Sequence, residues 1–384
     1  MFPASGGHIL PPGMSRRGVP IAWRQLSAEP AKLAVSVVAV AAAVTLVLLL
    51  SGLRRGIGEQ ATLYLDHQAP VLVGQEGARN FLSQRSVLPE ALEARIARVT
   101  GVADAAPISQ QYAMLRLHGG RVLAVLIGYD PGRGGGPWKL AAGRAPSGPN
   151  ELALDRVLAS SHGLRAGATL EYRGVALRIV GLTSGTNGFM TPLSFATRST
   201  VNALSRLPGT ATFFLVNPEH GVAPEVLVRR IERAVPGVSA RTREALAAED
   251  RSVFVGAFSG PLLAMVAIAF AVAILVIGLT VYNSTAERSR EYATLKALGL
   301  RKGALIRLAG AQAVALALSG TLAGTLLAFA AVRGISAVAP RYLVAVTSES
   351  VALIGVGALA MALVAAFLPS RYLSRLDPAS VFRR

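Results

Sequence analysis

The stretch LAVSVVAVAAAVTLVLLLSGL, residues Leu33–Leu53, holds no charged side chain, and Lys32 and Arg54–Arg55 bracket it. Roughly 20 apolar residues in a helix cross the hydrocarbon of a bilayer, so this stretch alone places the chain in a membrane class. A cleaved signal peptide is the competing reading. The run is too long for the usual h-region, and the arginine pair follows it without an A-x-A site. Working outward, three more charge-free stretches reach the same length: Ser252–Ala286, Leu308–Val332 and Ser350–Ser370. The second exceeds one crossing, so Ser252–Phe258 reads as the end of a helix standing above the bilayer and Gly260–Tyr282 as the span itself. Composition agrees with four spans, since 384 residues with only 16% charged cannot cover a soluble surface of that size. Mean hydropathy is +0.48.

An even number of spans puts both termini on one side. The segments on that side, 1–32, 283–307 and 371–384, carry 14 basic residues against Glu29, Glu287, Glu291 and Asp377. The short loop on the other side, 333–349, has only Arg333 and Arg341 as basic residues. The positive-inside rule therefore assigns both termini to the cytosol and the large domain to the outside of the cell (inner or plasma) membrane. The formal net charge of +18 is then topology and headgroup contact, not nucleic-acid binding, because no basic stripe with interleaved aromatics occurs.

The expected fold is a multi-pass α-helical membrane protein with four transmembrane helices and an α+β extracytoplasmic domain between helices 1 and 2. Its divisions are a cytosolic segment 1–32, span 33–53, outer domain with stalk 54–251, and stalk end with second span 252–286. There follow a cytosolic elbow 287–307, span 308–332, external loop 333–349, span 350–370 and cytosolic tail 371–384. Residues 1–15, rich in glycine and proline, read as unstructured. Within the outer domain, Val71–Val73, Tyr112–Leu117, Arg121–Ile127, Ala168–Tyr172, Val175–Val180 and Thr212–Val216 read as strands. Pro89–Val99 and Pro224–Val235 read as helices, and Tyr129–Pro149 as a loop. Arg241–Phe254 reads as a helical stalk with Leu246 and Val253 on one side and Glu244, Asp250 and Arg251 elsewhere, continuing into the second span.

The elbow has Tyr292, Leu295 and Leu298 at helical spacing, polar Glu287, Arg288, Arg290, Glu291 and Lys296 around them, and Gly299 where a left-handed cap belongs. Two readings fit this amphipathic helix: it lies on the inner leaflet, or it docks a cytosolic partner. Gly320-x-x-x-Gly324 in the third span and Gly355 and Gly357 in the fourth allow helices to approach closely. No span contains an ionisable residue, which argues against a proton relay or ion path.

Catalytic signatures are missing. There is no cysteine, and the five histidines have no metal-ligand spacing. No G-x-S-x-G elbow occurs, and Gly132–Lys139 fails the phosphate-loop pattern at Pro137 and Trp138. The expectation is no enzyme activity, no cofactor and no metal.

Several segments, in order, resemble the FtsX/MacB-type permeases of ABC transporters, nearest the DevC-like branch. They are Trp23-Arg24-Gln25-Leu26, Gly143-Arg144-Ala145-Pro146, Asn150–Asp155, Gly163–Gly167, Ile179-Val180-Gly181, Arg290-Glu291 through Leu298-Gly299, and Arg375–Ala379. The resemblance covers roughly residues 19 to 384, without a fused nucleotide-binding domain. It implies a permease subunit driven by a separate cytosolic ATPase that docks on Glu287, Arg288, Arg290, Glu291, Leu295, Lys296, Leu298 and Gly299. It also implies a second permease copy, homo- or heterodimeric, and in some members a membrane-fusion or other extracytoplasmic protein. Export or extraction of a substrate by mechanical transmission is the implied function, and an FtsX-like regulator that activates an outer partner without transport is the alternative.

Overall fold

A computed structural model describes residues 30–82, 86–117, 119–188, 191–287, 302–339 and 343–365. Four of its helices are long and apolar enough to cross a membrane: α1 (Pro30–Thr62), α6 (Arg243–Glu287), α7 (Lys302–Val338) and α8 (Ser348–Ala365). The chain separates into a helical unit and an α/β unit, with divisions at Gly52/Leu53, Gly260/Pro261, Gly334/Ile335 and Val344/Ala345.

In the helical unit the packed interior is built mainly from small and β-branched side chains, with Leu48 and Leu316 among them. Val40, Val44, Ile277, Val281, Ala313, Ala317, Ala358 and Ala362 are buried, while Leu263, Leu275, Leu322 and Leu353 are exposed. Hydrocarbon is as apolar as leucine, so nothing drives large side chains inward, and close backbone contact decides the packing. Gly320 and Gly324 of α7 lie against α1. A Cβ on Gly320 would stand 2.4 Å from Val40 Cγ1, and one on Gly324 would stand 2.6 Å from the Ala41 carbonyl oxygen. The approach brings the Thr45 hydroxyl within 3.0 Å of the Gly324 carbonyl, to which it donates. A second interhelical bond joins Ser36 Oγ and Thr280 Oγ1 at 2.7 Å. Gly355 is less crowded, its nearest neighbour being Thr321 Cγ2 at 4.0 Å. Pro261 lies inside α6 and cannot donate to Ala257, so one rung of that helix is missing.

The α/β unit is organised by one long strand. In chain order its elements are β1 (Val71–Gln75), β2 (Leu88–Pro89), α2 (Leu92–Ala97), β3 (Val102–Leu117), β4 (Gly120–Tyr129) and β5 (Leu140–Gly143). They continue with β6 (Glu151–Asp155), α3 (Arg156–Ser161), β7 (Thr169–Tyr172), β8 (Val175–Thr183), β9 (Leu193–Thr197) and α4 (Arg198–Ser205). Last come β10 (Thr210–Ala211), β11 (Phe213–Pro218), α5 (Pro224–Ala234) and β12 (Val238–Thr242). The main sheet runs β12-β1-β11-β3-β4-β9-β6-β8-β5, with β7 also on β8. The first half of β3 pairs with β11 and the second half with β4. Helices α2 and α5 cover the first lobe through Ile96, Leu227 and Ile231, and α3 and α4 cover the second through Leu158, Val201 and Leu204. Across the opposite face one cluster joins Ile108, Ile127, Phe195 and Phe213 to Tyr64 and Leu65 just after α1 and to Leu246 of α6.

Several sequence expectations change. Pro89–Val99 is not one helix, because Leu88–Pro89 pairs with Thr210–Ala211 and only Leu92–Ala97 is helical. The Tyr129–Pro149 loop includes strand β5 on β8. The stalk begins at Arg243, since Val238–Thr242 pairs with β1 and the Thr242 hydroxyl caps the helix by accepting from Ala245 N–H at 3.2 Å. Asp250 shares the buried side with Leu246, four residues away, rather than lying elsewhere.

Gly324→Val places carbon against a backbone oxygen that cannot rotate away, whereas a Cβ on Gly310 meets nothing within 4 Å. Thermal unfolding in detergent should show Gly324→Val destabilised by about 1–3 kcal/mol relative to Gly310→Val. Equal melting of the two variants would overturn the close α1–α7 contact.

Candidate functional site

Of the predicted docking residues, Glu287 is the last residue of α6 and is exposed. Arg288, Arg290, Glu291, Leu295, Lys296, Leu298 and Gly299 lie outside the described residues. So do the Trp23–Leu26 and Arg375–Ala379 segments.

The sequence signatures of the outer domain are described, and they converge on one edge of the sheet. Arg144 pairs with Glu151 through both guanidinium nitrogens, one of them at 2.7 Å. Glu151 Oε2 also accepts the N–H groups of Ser147 and Gly148, each at 3.0 Å. The guanidinium and these amides hold the Glu151 carboxyl down to about 2. Gly143 (φ +73°) and Gly181 face each other's backbones: a Cβ on either would stand 2.2 Å from a carbonyl oxygen, Val180 for the first and Arg144 for the second. At the end of β6, Asp155 Oδ1 caps α3 by accepting Val157 N–H at 2.8 Å and Leu158 N–H at 3.1 Å. Its Oδ2 accepts the Thr186 hydroxyl at 2.7 Å. The motif residues therefore staple β5, β6, β8 and α3 together. Their contacts are architectural.

The neighbouring loop is also pinned. The Tyr129 hydroxyl donates to Pro146 O at 2.6 Å, and the Tyr64 hydroxyl to Gly135 O at 3.0 Å. Trp138 stacks on His67 with ring centroids 4.2 Å apart. Among the described residues no group of three or more His, Asp or Glu side chains is placed to hold a metal ion.

One buried charge escapes the sequence reading. Asp250 is fully buried on α6, and its carboxylate accepts the N–H groups of Phe81 (3.1 and 3.2 Å) and Leu82 (3.2 Å). Asp250 thus ties the chain after β1 to the stalk helix. Burial pushes its carboxyl up to about 7, with Glu249 adding to the rise and the two amides opposing it. An i, i+4 relation to Leu246 is the signal available in the sequence.

The MacB-like periplasmic core domain family matches residues 33–234, and the FtsX-like permease C-terminal family matches residues 263–378. This chain belongs to the FtsX/MacB-type ABC transporter permeases. Two uncharacterized ABC transporter permeases of Mycobacterium tuberculosis are each 25% identical to it, over 373 and 362 residues, covering 94% of this chain and 98% of each relative. The periplasmic region of MacB from Actinobacillus actinomycetemcomitans superposes with a TM-score of 0.37 at 14% identity, covering 51% of this chain and 94% of that one. The extracellular domain of the transporter YknZ from Gram-positive bacteria gives 0.35 at 11%, covering 45% and 99%. The permease has four membrane helices with an α/β domain between the first and second.

The folded permease holds the Asp250 proton more tightly than the unfolded chain, whose carboxyl titrates near 3.8. The stability this proton adds is complete below about pH 4 and is lost as pH rises to about 7. Glu151 works in the opposite direction and in a different window, losing its contribution only as pH falls from about 4 towards about 2. Melting temperature should therefore fall between about pH 4 and about pH 7 in the wild type relative to Asp250→Asn. Parallel curves for the two proteins would show that Asp250 is ionised throughout.

Proposed function

We propose that this permease is the membrane subunit of a transporter in which a separate cytosolic ATPase drives movement of the outer domain. The observation that supports this most is α6. The same helix supplies Leu246, Ala247 and Asp250 to the α/β core and Ile277 and Val281 to the helical core, and its described part runs to Glu287. A motion imposed at the elbow would have a single helix to travel along, one whose hydrogen-bonded ladder lacks a rung at Pro261. The 14-to-4 charge bias supports cytosolic termini and elbow in the cell membrane. Export or extraction of a substrate is the favoured direction, with two permease copies and, in an envelope with a further layer, a membrane-fusion partner.

Reporter fusions test the orientation. A fusion near Gly136 should read as extracytoplasmic, and fusions after Gly299 and after Arg384 as cytosolic. A cytosolic signal at Gly136 would overturn both topology and mechanism.

Docking is tested separately. Purified alone, the permease should show no ATP turnover, and the complex with its ATPase should hydrolyse ATP. An apolar anchor buried at an interface is typically worth about 2 kcal/mol, roughly thirtyfold in affinity. Leu298→Asp or Glu291→Lys should therefore abolish ATPase co-purification while membrane insertion stays normal. Gly299→Val should impair it by penalising a left-handed cap. Unchanged co-purification in both of the first two variants would mean that the elbow only rests on lipid.

A further inference from the structure

Several arginines of the α/β unit have carboxylate partners: Arg133 meets Glu93 at 2.7 Å, Arg198 meets Glu90 at 2.6 Å, and Arg144 pairs with Glu151. Arg54 and Arg251 do not. Both are exposed, and among the described residues neither side chain has an ion pair or a hydrogen bond. Asp250, the neighbour of Arg251, accepts the Phe81 and Leu82 amides instead.

Their places along the chain single these two out. Arg54 is the first charged residue after the uncharged run Leu33–Leu53, and Arg251 is the last before the run Ser252–Ala286. Helices α1 and α6 touch at this level. A Cβ on Gly58 of α1 would stand 3.2 Å from Arg251 Cγ, 3.4 Å from its Cδ and 3.5 Å from Val255 Cγ2. Lacking a side chain, Gly58 lets the stem of Arg251 lie against α1. Arg54 precedes Gly58 by one turn on the same face, about 6 Å along the axis at about 1.5 Å per residue. The two cations therefore fall within one headgroup layer, which is about 5–8 Å deep on each side of the hydrocarbon.

An arginine at the end of a span extends its head into that layer, and its planar fork of N–H donors matches phosphate oxygens. Phe258 follows Arg251 by seven residues, two turns along the same stripe of α6 towards the hydrocarbon, and is 38% exposed. The arrangement is a pair of cations above an exposed aromatic ring. Inorganic phosphate would satisfy the arginines and leave Phe258 unused. A phospholipid carries both the anion and the chain that such a surface needs.

We propose that Arg54 and Arg251 hold the phosphate of an anionic glycerophospholipid in the leaflet where α1 leaves the hydrocarbon, with an acyl chain along Phe258. The site is defined by where two uncharged runs end, so it holds for either orientation of the permease. A lipid held in this way fastens α1 to α6 at the foot of the stalk.

The permease has no cysteine, so Ser252→Cys, at the exposed position beside Arg251, takes a single bimane fluorophore. The probes are phosphatidylglycerol and phosphatidylcholine bearing the same acyl-chain nitroxide near the headgroup, each a minor component of phosphatidylcholine nanodiscs that hold the full chain. Nitroxides quench only at short range, so the signal reports lipid at this site and not at the basic segments of the opposite leaflet. Quenching should correspond to phosphatidylglycerol enriched at least about fivefold over phosphatidylcholine. Arg54→Gln/Arg251→Gln should erase that preference and leave quenching by labelled phosphatidylcholine unchanged, as a helix end still seated at the bilayer requires. Arg229→Gln/Arg233→Gln, which removes the same charge from exposed positions on α5, should keep the preference. Three results would overturn the proposal. They are equal quenching by the two lipids in the labelled parent, a preference that survives Arg54→Gln/Arg251→Gln, and a preference abolished by millimolar inorganic phosphate, which would make a free anion the ligand.

Discussion

A chain that enters hydrocarbon has nowhere to place an unpaired peptide group, and most of this permease follows from that constraint. Each crossing must be a helix, because only a helix satisfies its backbone within one segment. With polar pairing confined to the backbone, side chains in the bilayer have only shape to recommend them. The buried surface of the bundle is accordingly rich in valine and alanine, with Gly320 and Gly324 where α7 meets α1, and although Leu48 and Leu316 are buried, Leu263, Leu275, Leu322 and Leu353 are exposed. Nothing stops a helix at the end of the hydrocarbon. α1 runs on through Arg54 and Arg55 to Thr62, and α6 starts at Arg243, well before its apolar part. Tyr64 and Leu65, just after α1, and Leu246 and Ala247 of α6 join the α/β core.

The α/β domain obeys the opposite rule, since water rewards burial of large apolar side chains. Its two lobes share β3, and the odd-numbered residues of that strand from Ala105 pass from one helix-covered core to the next. The even-numbered face begins buried at Ala106 and Ile108 and becomes exposed at Tyr112 and Met114.

The helical half was legible because spans announce themselves by what they lack, and a run of 20 or so uncharged residues has few other meanings. The domain was legible only in part. Strands with one wet face, such as β7 and β8, alternate and show themselves in the sequence. β9 is buried at all five positions and β6 at four, so Leu193–Thr197 and Leu152–Asp155 carry no period to detect. The first half of β3 holds Asp104 and Pro107, which read as loop residues until β11 is placed beside them. Arg144 and Glu151 stand out as part of a resemblance, but their pairing depends on a turn that brings residues seven apart together. Asp250 is visible in the sequence and misplaced by it, because a lone acid on a stalk reads as solvated until Phe81 and Leu82 arrive from 168 or more residues away.

Pro261 interrupts the hydrogen-bonded ladder of α6. A helix resists bending because every peptide unit is tied four residues back, and stiffness is spread evenly along it. Where the Ala257 carbonyl has no N–H to receive, that even distribution ends, and the bending modulus drops at one turn. The least stiff turn of α6 is therefore set by one imino acid rather than by the thickness of the bilayer.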